Sequence, residues 1–157
     1  MIVSITGHRP NNKNMGGYNL PNPKYIYICQ QIDKQLRGLK PDKIISGMAL
    51  GVDQWAANIA IKLGIPFIAA VPFIGQEKKW PEKSQRAYNS LLRKAADIVV
   101  ISDSGYTAQK MQIRNKWMVD QCDLLLGVFD GSSGGTANCI EYAKSVNRKI
   151  LIIDPVF

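Results

Sequence analysis

Residues 122–146 read CDLLLGVF, then DGSSGGTA, then NCIEYAKSV. The first segment is a strand-length apolar run and the last carries a helical pattern. The junction between them concentrates three glycines, two serines and a threonine, so a buried strand passes to a helix through a loop that keeps its backbone accessible. Glycine lets the chain adopt positive φ and lets amides approach a ligand with no Cβ in the way. The helix that follows presents unpaired N–H groups and the positive end of its dipole, a combination that favours phosphate. Thr136 adds a hydroxyl donor. The same pattern also suits a capped turn with no ligand, and the motif alone does not decide between the two.

The rest of the chain repeats this alternation. Val- and Ile-rich runs at 2–6, 43–46, 67–71, 98–101, 124–129 and 150–153 predict six strands. Helical stripes predict helices over 23–38, 52–63, 82–95, 108–121 and 136–146. Asn22 is expected to cap the first helix, with Pro23 at its first position. Strands alternating with helices imply a Rossmann-like, doubly wound α/β domain with a mainly parallel sheet covered on both faces, and the expected strand order is 3-2-1-4-5-6. With 157 residues the chain is one ordinary domain, 1–157.

Composition narrows the function. A hydrophobic fraction of 46% with 20% charged residues fits a globular fold rather than disorder. No apolar run approaches the roughly 20 residues that span a bilayer, and no basic stretch precedes an apolar one at the N-terminus, so a cytoplasmic protein with no membrane association is expected. Three scattered cysteines and a single histidine, His8, argue against a disulfide framework, a thiolate zinc site or a histidine-rich metal centre. No metal and no required cofactor is expected. The net charge of +8 points to an anionic partner. The absence of GxGxxG after the first strand weakens a nicotinamide or flavin enzyme, and the absence of GxxxxGK[ST] removes a Walker-type NTPase.

Loop lengths locate the working edge. Returns from helix to strand are short, whereas GHRPNNKNMGGYNLPN, PFIGQEKKWP, SDSGYTA and DGSSGGT lead from strand to helix. All lie at the carboxyl ends of the strands, where open parallel sheets bind ligands. Gly7 permits close approach, and His8 and Arg9 follow it; arginine suits bidentate phosphate recognition. SGMALGVD, residues 46–53, contributes Ser46, Gly47, Met48, Ala49, Gly51 and Asp53, with Asp53 reading either as a dipole-complementing residue or as a ligand contact. Arg114, beside Asn115, lies next to the core-facing stripe of Met111, Met118 and Cys122 and needs an anionic partner, either an internal carboxylate or a ligand. Trp80 and Tyr106 are the candidate platforms for a base.

Together, ITGHRP, SGMALGVDQWAA, PFIGQEKKWP, MQIRNKWMVDQCD and DGSSGGTA resemble the YpsA/YspA-like branch of the SLOG superfamily, which also holds the Smf/DprA proteins and the LOG phosphoribohydrolases. The resemblance covers nearly the whole chain. It implies a Rossmann-like domain whose glycine-rich loops, including Asp130, Gly131, Gly134, Gly135 and Thr136, hold a nucleotide or nucleotide-derived ligand. LOG enzymes cleave the N-glycosidic bond of nucleoside monophosphates with an arginine and a glutamate. Arg114 matches the arginine. At the glutamate position stands Cys139, and the nearest glutamate, Glu141, is rotated about 200° around the helix from it. Glu141 and Asp130 are the candidate acids, with Asp53 and Asp103 as further substitutes, and whether the chain is an enzyme is left open.

The leading expectation is therefore binding or sensing of a nucleoside phosphate or ADP-ribose-like molecule. The rivals are a LOG-like phosphoribohydrolase and a DprA-like binder of single-stranded nucleic acid, the latter disfavoured because the basic residues form no periodic stripe. A homodimer is compatible with the resemblance.

Overall fold

The computed structural model describes residues 1–156. Its elements follow in the order β1 (Ile2–Gly7), α1 (Pro23–Leu39), β2 (Lys43–Ser46), α2 (Val52–Leu63), β3 (Phe67–Val71), α3 (Glu82–Lys94), β4 (Asp97–Val100), α4 (Ala108–Gln121), β5 (Leu124–Val128), α5 (Gly135–Ser145) and β6 (Lys149–Ile153). Each lies within a residue or so of the segment its periodicity predicts. Asn22 does cap α1, its Oδ1 accepting from the Tyr25 N–H at 2.9 Å, with Pro23 opening the helix.

Every strand pairing is parallel, and the order is β4-β3-β2-β1-β5-β6. The expected order 3-2-1-4-5-6 is corrected: β4 pairs with β3 at the edge, and β5 takes the place beside β1. The reason lies in the two strands. β5 is LLLGV and buried along its whole length, so it needs a strand on each side and a helix layer on each face. β4 is DIVV, led by an exposed Asp97 and with Ile98 and Val100 about half exposed, a composition suited to an edge.

Helices α1, α2 and α3 cover one face; α4 and α5 cover the other. The period of two divides each strand between them. Leu124, Leu126 and Val128 of β5, with Phe67, Ala69 and Val71 of β3, join the core under α1 and α2. Leu125 packs with Val119, Cys139, Ile140 and Ala143 beneath α4 and α5, and Ile45 and Ala70 pack on Met118. Each fully buried aliphatic side chain here stabilises the fold by about 1.5–3 kcal/mol. Among the described residues no helix is long and apolar enough to cross a membrane.

Connections on the two faces run in opposite directions along the sheet and part between β1 and β5. At that switch point two neighbouring carboxyl ends leave a crevice that no crossover fills.

Candidate functional site

The crevice is a cavity of about 530 Å³ over the ends of β1 and β5, within the range of small-molecule sites. Thr6, Gly7, His8 and Arg9 form one wall. Gly7 is required by packing as well as by access: a Cβ there would stand 2.6 Å from the Cβ of Val52.

The opposite rim is the start of α5, where Gly134, Gly135 and Thr136 line the cavity. Gly134 sits at φ 138°, a conformation that L side chains rarely adopt, and it caps α5 without a side-chain hydrogen bond. Among the described residues no protein group accepts from the N–H groups of Gly135 or Thr136. They are therefore free donors at the positive end of a helix.

Behind this rim the loops after β1 and β5 are tied together through Asp130. Its side chain is 2% exposed and collects Ser132 Oγ at 2.5 Å and the Ser132 N–H at 2.9 Å on Oδ1, with Asn14 Nδ2 at 2.9 Å on Oδ2. His8 Nε2 lies 2.8 Å from Oδ1 and 3.2 Å from the Asp130 backbone nitrogen. One ring nitrogen cannot serve both, and the shorter carboxylate contact requires the proton on Nε2, donating to Asp130. Burial alone would raise the carboxyl pKa, but the bonds from Ser132 and Asn14 and the adjacent His8 outweigh it and hold the group well below the usual carboxylate range.

The floor is built from the β2–α2 loop and α4. Arg114 is 4% exposed; its Nη1 donates to the carbonyls of Gly47 at 2.6 Å and Ala70 at 3.3 Å, and its Nε to Asn115 Oδ1 at 3.0 Å. No protein group among the described residues accepts from its Nη2, although the side chain lines the cavity. Asp53 faces it from the first turn of α2, with Oδ2 accepting from the Ala49 N–H at 3.2 Å. A Cβ on Gly47 would lie 2.6 Å from Arg114 Nη1 and 2.9 Å from Asp53 Oδ2, so glycine is what lets the two charges approach. Burial raises the Asp53 pKa, with Arg114 opposing; burial lowers that of Arg114, with Asp53 opposing. An arginine so placed remains a cation.

The expected residues thus divide. Gly7, His8, Arg9, Ala49, Asp53, Tyr106, Arg114, Asn115, Gly134, Gly135 and Thr136 line the cavity. Ser46, Gly47, Met48 and Gly51 lie beneath it. Ser46 is fully buried, its Oγ donating to the Asp53 carbonyl at 2.8 Å and accepting from the Met48 N–H at 3.2 Å. Asp130 and Gly131 stand behind the rim. Trp80 lies elsewhere, against Tyr88 at 5.3 Å between ring centroids, and Glu141 is exposed on α5, 3.6 Å from Lys144. Asp103 is exposed and bound to Lys110.

Other lining residues went unread in the sequence. Ala108 and Gln112 precede Asn115 on one face of α4, and Asn138 stands a turn into α5; Met111, expected on the core-facing stripe with Met118 and Cys122, is instead half-buried and lines the cavity. The helical spacing of Ala108, Gln112 and Asn138 from Asn115 and Gly135 was the available signal. Asn11 and Asn12 come from the long β1–α1 loop, which has no period to read.

The lining is richer in hydrogen-bond donors and positive charge than in acceptors. It offers two arginines, free helix amides and several carboxamides, against a single carboxylate, Asp53. Cys139 is 3% exposed within the α5 packing, where burial pushes its thiol up to about 11, so it supplies no acid at the position it occupies.

Comparison with known proteins bears on the fold and the family. The SPbeta prophage-derived protein YoqJ of Bacillus subtilis is 36% identical over 118 residues, covering 65% of this chain and 69% of its own length. Among solved structures, DNA processing protein A (DprA) of Streptococcus pneumoniae superposes with a TM-score of 0.69 at 18% identity, over 96% of this chain and 49% of that one. The chain therefore spans about half of that protein. DNA processing protein A of Helicobacter pylori, whose single-stranded DNA binding mode has been described structurally, gives a TM-score of 0.67 at 18% identity, over 97% of this chain and 64% of that one. At these identities the likeness is one of fold. The model of the YspA SLOG family matches residues 3–154, and the chain belongs to that family.

Proposed function

We propose that the chain binds a phosphorylated nucleoside or an ADP-ribose-like molecule in the cavity between β1 and β5. The observation that carries this reading is the convergence of the unpartnered Nη2 of Arg114 and the free amides of Gly135 and Thr136 on one open crevice. The Nη2 is reached from the cavity rather than sealed in protein, so it stands as a charged donor open to an incoming anion. Phosphate satisfies it and the helix terminus together. Arg9, exposed at the mouth, adds a cation for a second phosphate or for capture.

One observation favours a second reading, a phosphoribohydrolase. Asp53 is the one carboxylate in the lining, and burial raises its pKa, the direction a general acid requires. Its Oδ2 already accepts from Ala49, and Arg114 stabilises its charged form, so we rank binding without turnover first.

The test is thermal unfolding of the protein against nucleoside mono- and diphosphates and ADP-ribose, with chromatography of every mixture that shifts. Binding raises the midpoint by mass action, and Arg114→Met removes the rise. Release of free base that is lost with Asp53→Asn supports the hydrolase instead. No shift with any nucleotide, together with salt-sensitive binding of oligonucleotides, would transfer support to a DprA-like nucleic-acid binder.

A further inference from the structure

Tyr106 lines the cavity from the β4–α4 loop while 67% exposed, its ring edge-on to Phe73 at 6.2 Å between centroids. An aromatic at a loop tip normally has little to hold it. Here Lys110, in the first turn of α4, ties down the segment that leads into it. The Lys110 Nζ donates to the carbonyls of Asp103 at 3.1 Å, Ser104 at 3.0 Å and Gly105 at 2.9 Å, and lies 2.9 Å from Asp103 Oδ1. The Lys110 backbone N–H donates to Thr107 Oγ1 at 3.1 Å. The three residues just before Tyr106 are therefore anchored on the side chain of one lysine, only 17% exposed, while Thr107 just after it is fixed as the N-cap of α4. Arg114 stands four residues further along the same helix. The Asp103 carboxylate of this pair is exposed, so the ion pair contributes little stability, and ordering three successive carbonyls is the more consequential result of this arrangement.

We infer that Lys110 is a positioning residue that holds Tyr106 over the cavity mouth as the platform on which the base of the bound nucleotide stacks. This rests on the nucleotide reading above and extends it: the phosphate end is directed to Arg114 and the α5 amides, the base to Tyr106. Stacking makes the platform tolerant of base identity, because every base presents a π-face.

The experiment measures binding of adenosine monophosphate and of ribose 5-phosphate to the wild-type protein and to Tyr106→Ala, Lys110→Met, Lys110→Arg and the Tyr106→Ala/Lys110→Met double variant. Tyr106→Ala is expected to weaken adenosine monophosphate about tenfold and leave ribose 5-phosphate unchanged. Lys110→Met is expected to weaken adenosine monophosphate severalfold and selectively, Lys110→Arg to restore it, and the double variant to be no weaker than Tyr106→Ala. Hydrogen exchange without ligand is expected to accelerate across 103–107 in Lys110→Met at an unchanged unfolding midpoint. Additive losses, equal weakening of both probes, or unchanged exchange in that segment would overturn the inference while leaving the site intact. Failure of the wild type to bind either probe would instead sink the nucleotide reading, and with it the assignment of Tyr106 to a base.

Discussion

The chain carries two glycine-rich loops that lead from a strand into a helix, and they are built for different ends. In SGMALGVD the polar side chains turn inward. Ser46 and Asp53 bond the loop's own backbone, Gln54 Nε2 donates to the Met48 carbonyl, and Met48 is held in a left-handed conformation at φ 63°. Gly51 is closed over by Pro10, whose Cδ would lie 2.8 Å from a Cβ there. In DGSSGGT the tie is at one end only, through Asp130. Gly131, Gly134 and Gly135 have nothing within 4 Å of where a Cβ would stand, and the amides that follow face the cavity. Similar composition therefore yields a packed support in one place and an open rim in the other. What separates them is whether a neighbouring element, here Arg114 and the β1–α1 loop, lies on top.

That contrast is most easily broken by adding a single methyl group to each loop. Gly47→Ala drives a Cβ into Arg114 and Asp53 and is expected to cost about 3 kcal/mol in urea denaturation and to abolish nucleotide binding. Gly135→Ala, on the open rim and inside a helix, is expected to change stability by less than ~1 kcal/mol. Equal costs at the two sites would remove the distinction.

Arg114→Met comes next. It removes the buried donor that the support holds out to the cavity, and an affinity loss of about 100-fold for a nucleoside monophosphate is expected by calorimetry. Replacing Asp130 sharpens the comparison on the other side. Its folded-state pKa is depressed, so the stability it contributes is present above its unfolded pKa of about 3.9 and is lost as pH falls below that value. Asp130→Asn is expected to cost about 2 kcal/mol at pH 7 and progressively less as the pH drops below about 4. A gap between the two proteins that stays constant with pH would mean that the charge of that carboxylate does not tie the loops after β1 and β5 together. The smallest effect is expected at Glu141, exposed beside Lys144. Glu141→Gln should leave binding unchanged and stability within about 0.5 kcal/mol.

Much of this architecture is legible in the sequence because its signals are local. The apolar runs, the Asn22 cap and the glycine loops each announce themselves over a few residues, and they suffice to find the strands, the helices and the working edge. Strand order is not local. Whether β4 or β5 lies beside β1 depends on which strand can bear an exposed edge, and Asp97 at the start of β4 was the available clue. The site divides in the same way. Arg114, Gly134 and Arg9 were readable from motif and charge, but Trp80 packs against Tyr88, while Tyr106 reaches the cavity because α4 crosses back over the sheet. Lys110 escaped notice because its partners are backbone carbonyls, and carbonyls have no sequence signature.

The account's central claim is that the open rim and the buried arginine receive the phosphate of a single ligand. Its most direct test is a titration of the ¹⁵N-labelled protein with a nucleoside monophosphate, following each backbone amide and the Arg114 guanidinium by NMR. The largest shifts are expected at Gly134, Gly135, Thr136 and the Arg114 side chain, with the Ser46 and Met48 amides nearly still. Shifts concentrated outside the cavity lining, or none at the start of α5 once a ligand has bound, would contradict it.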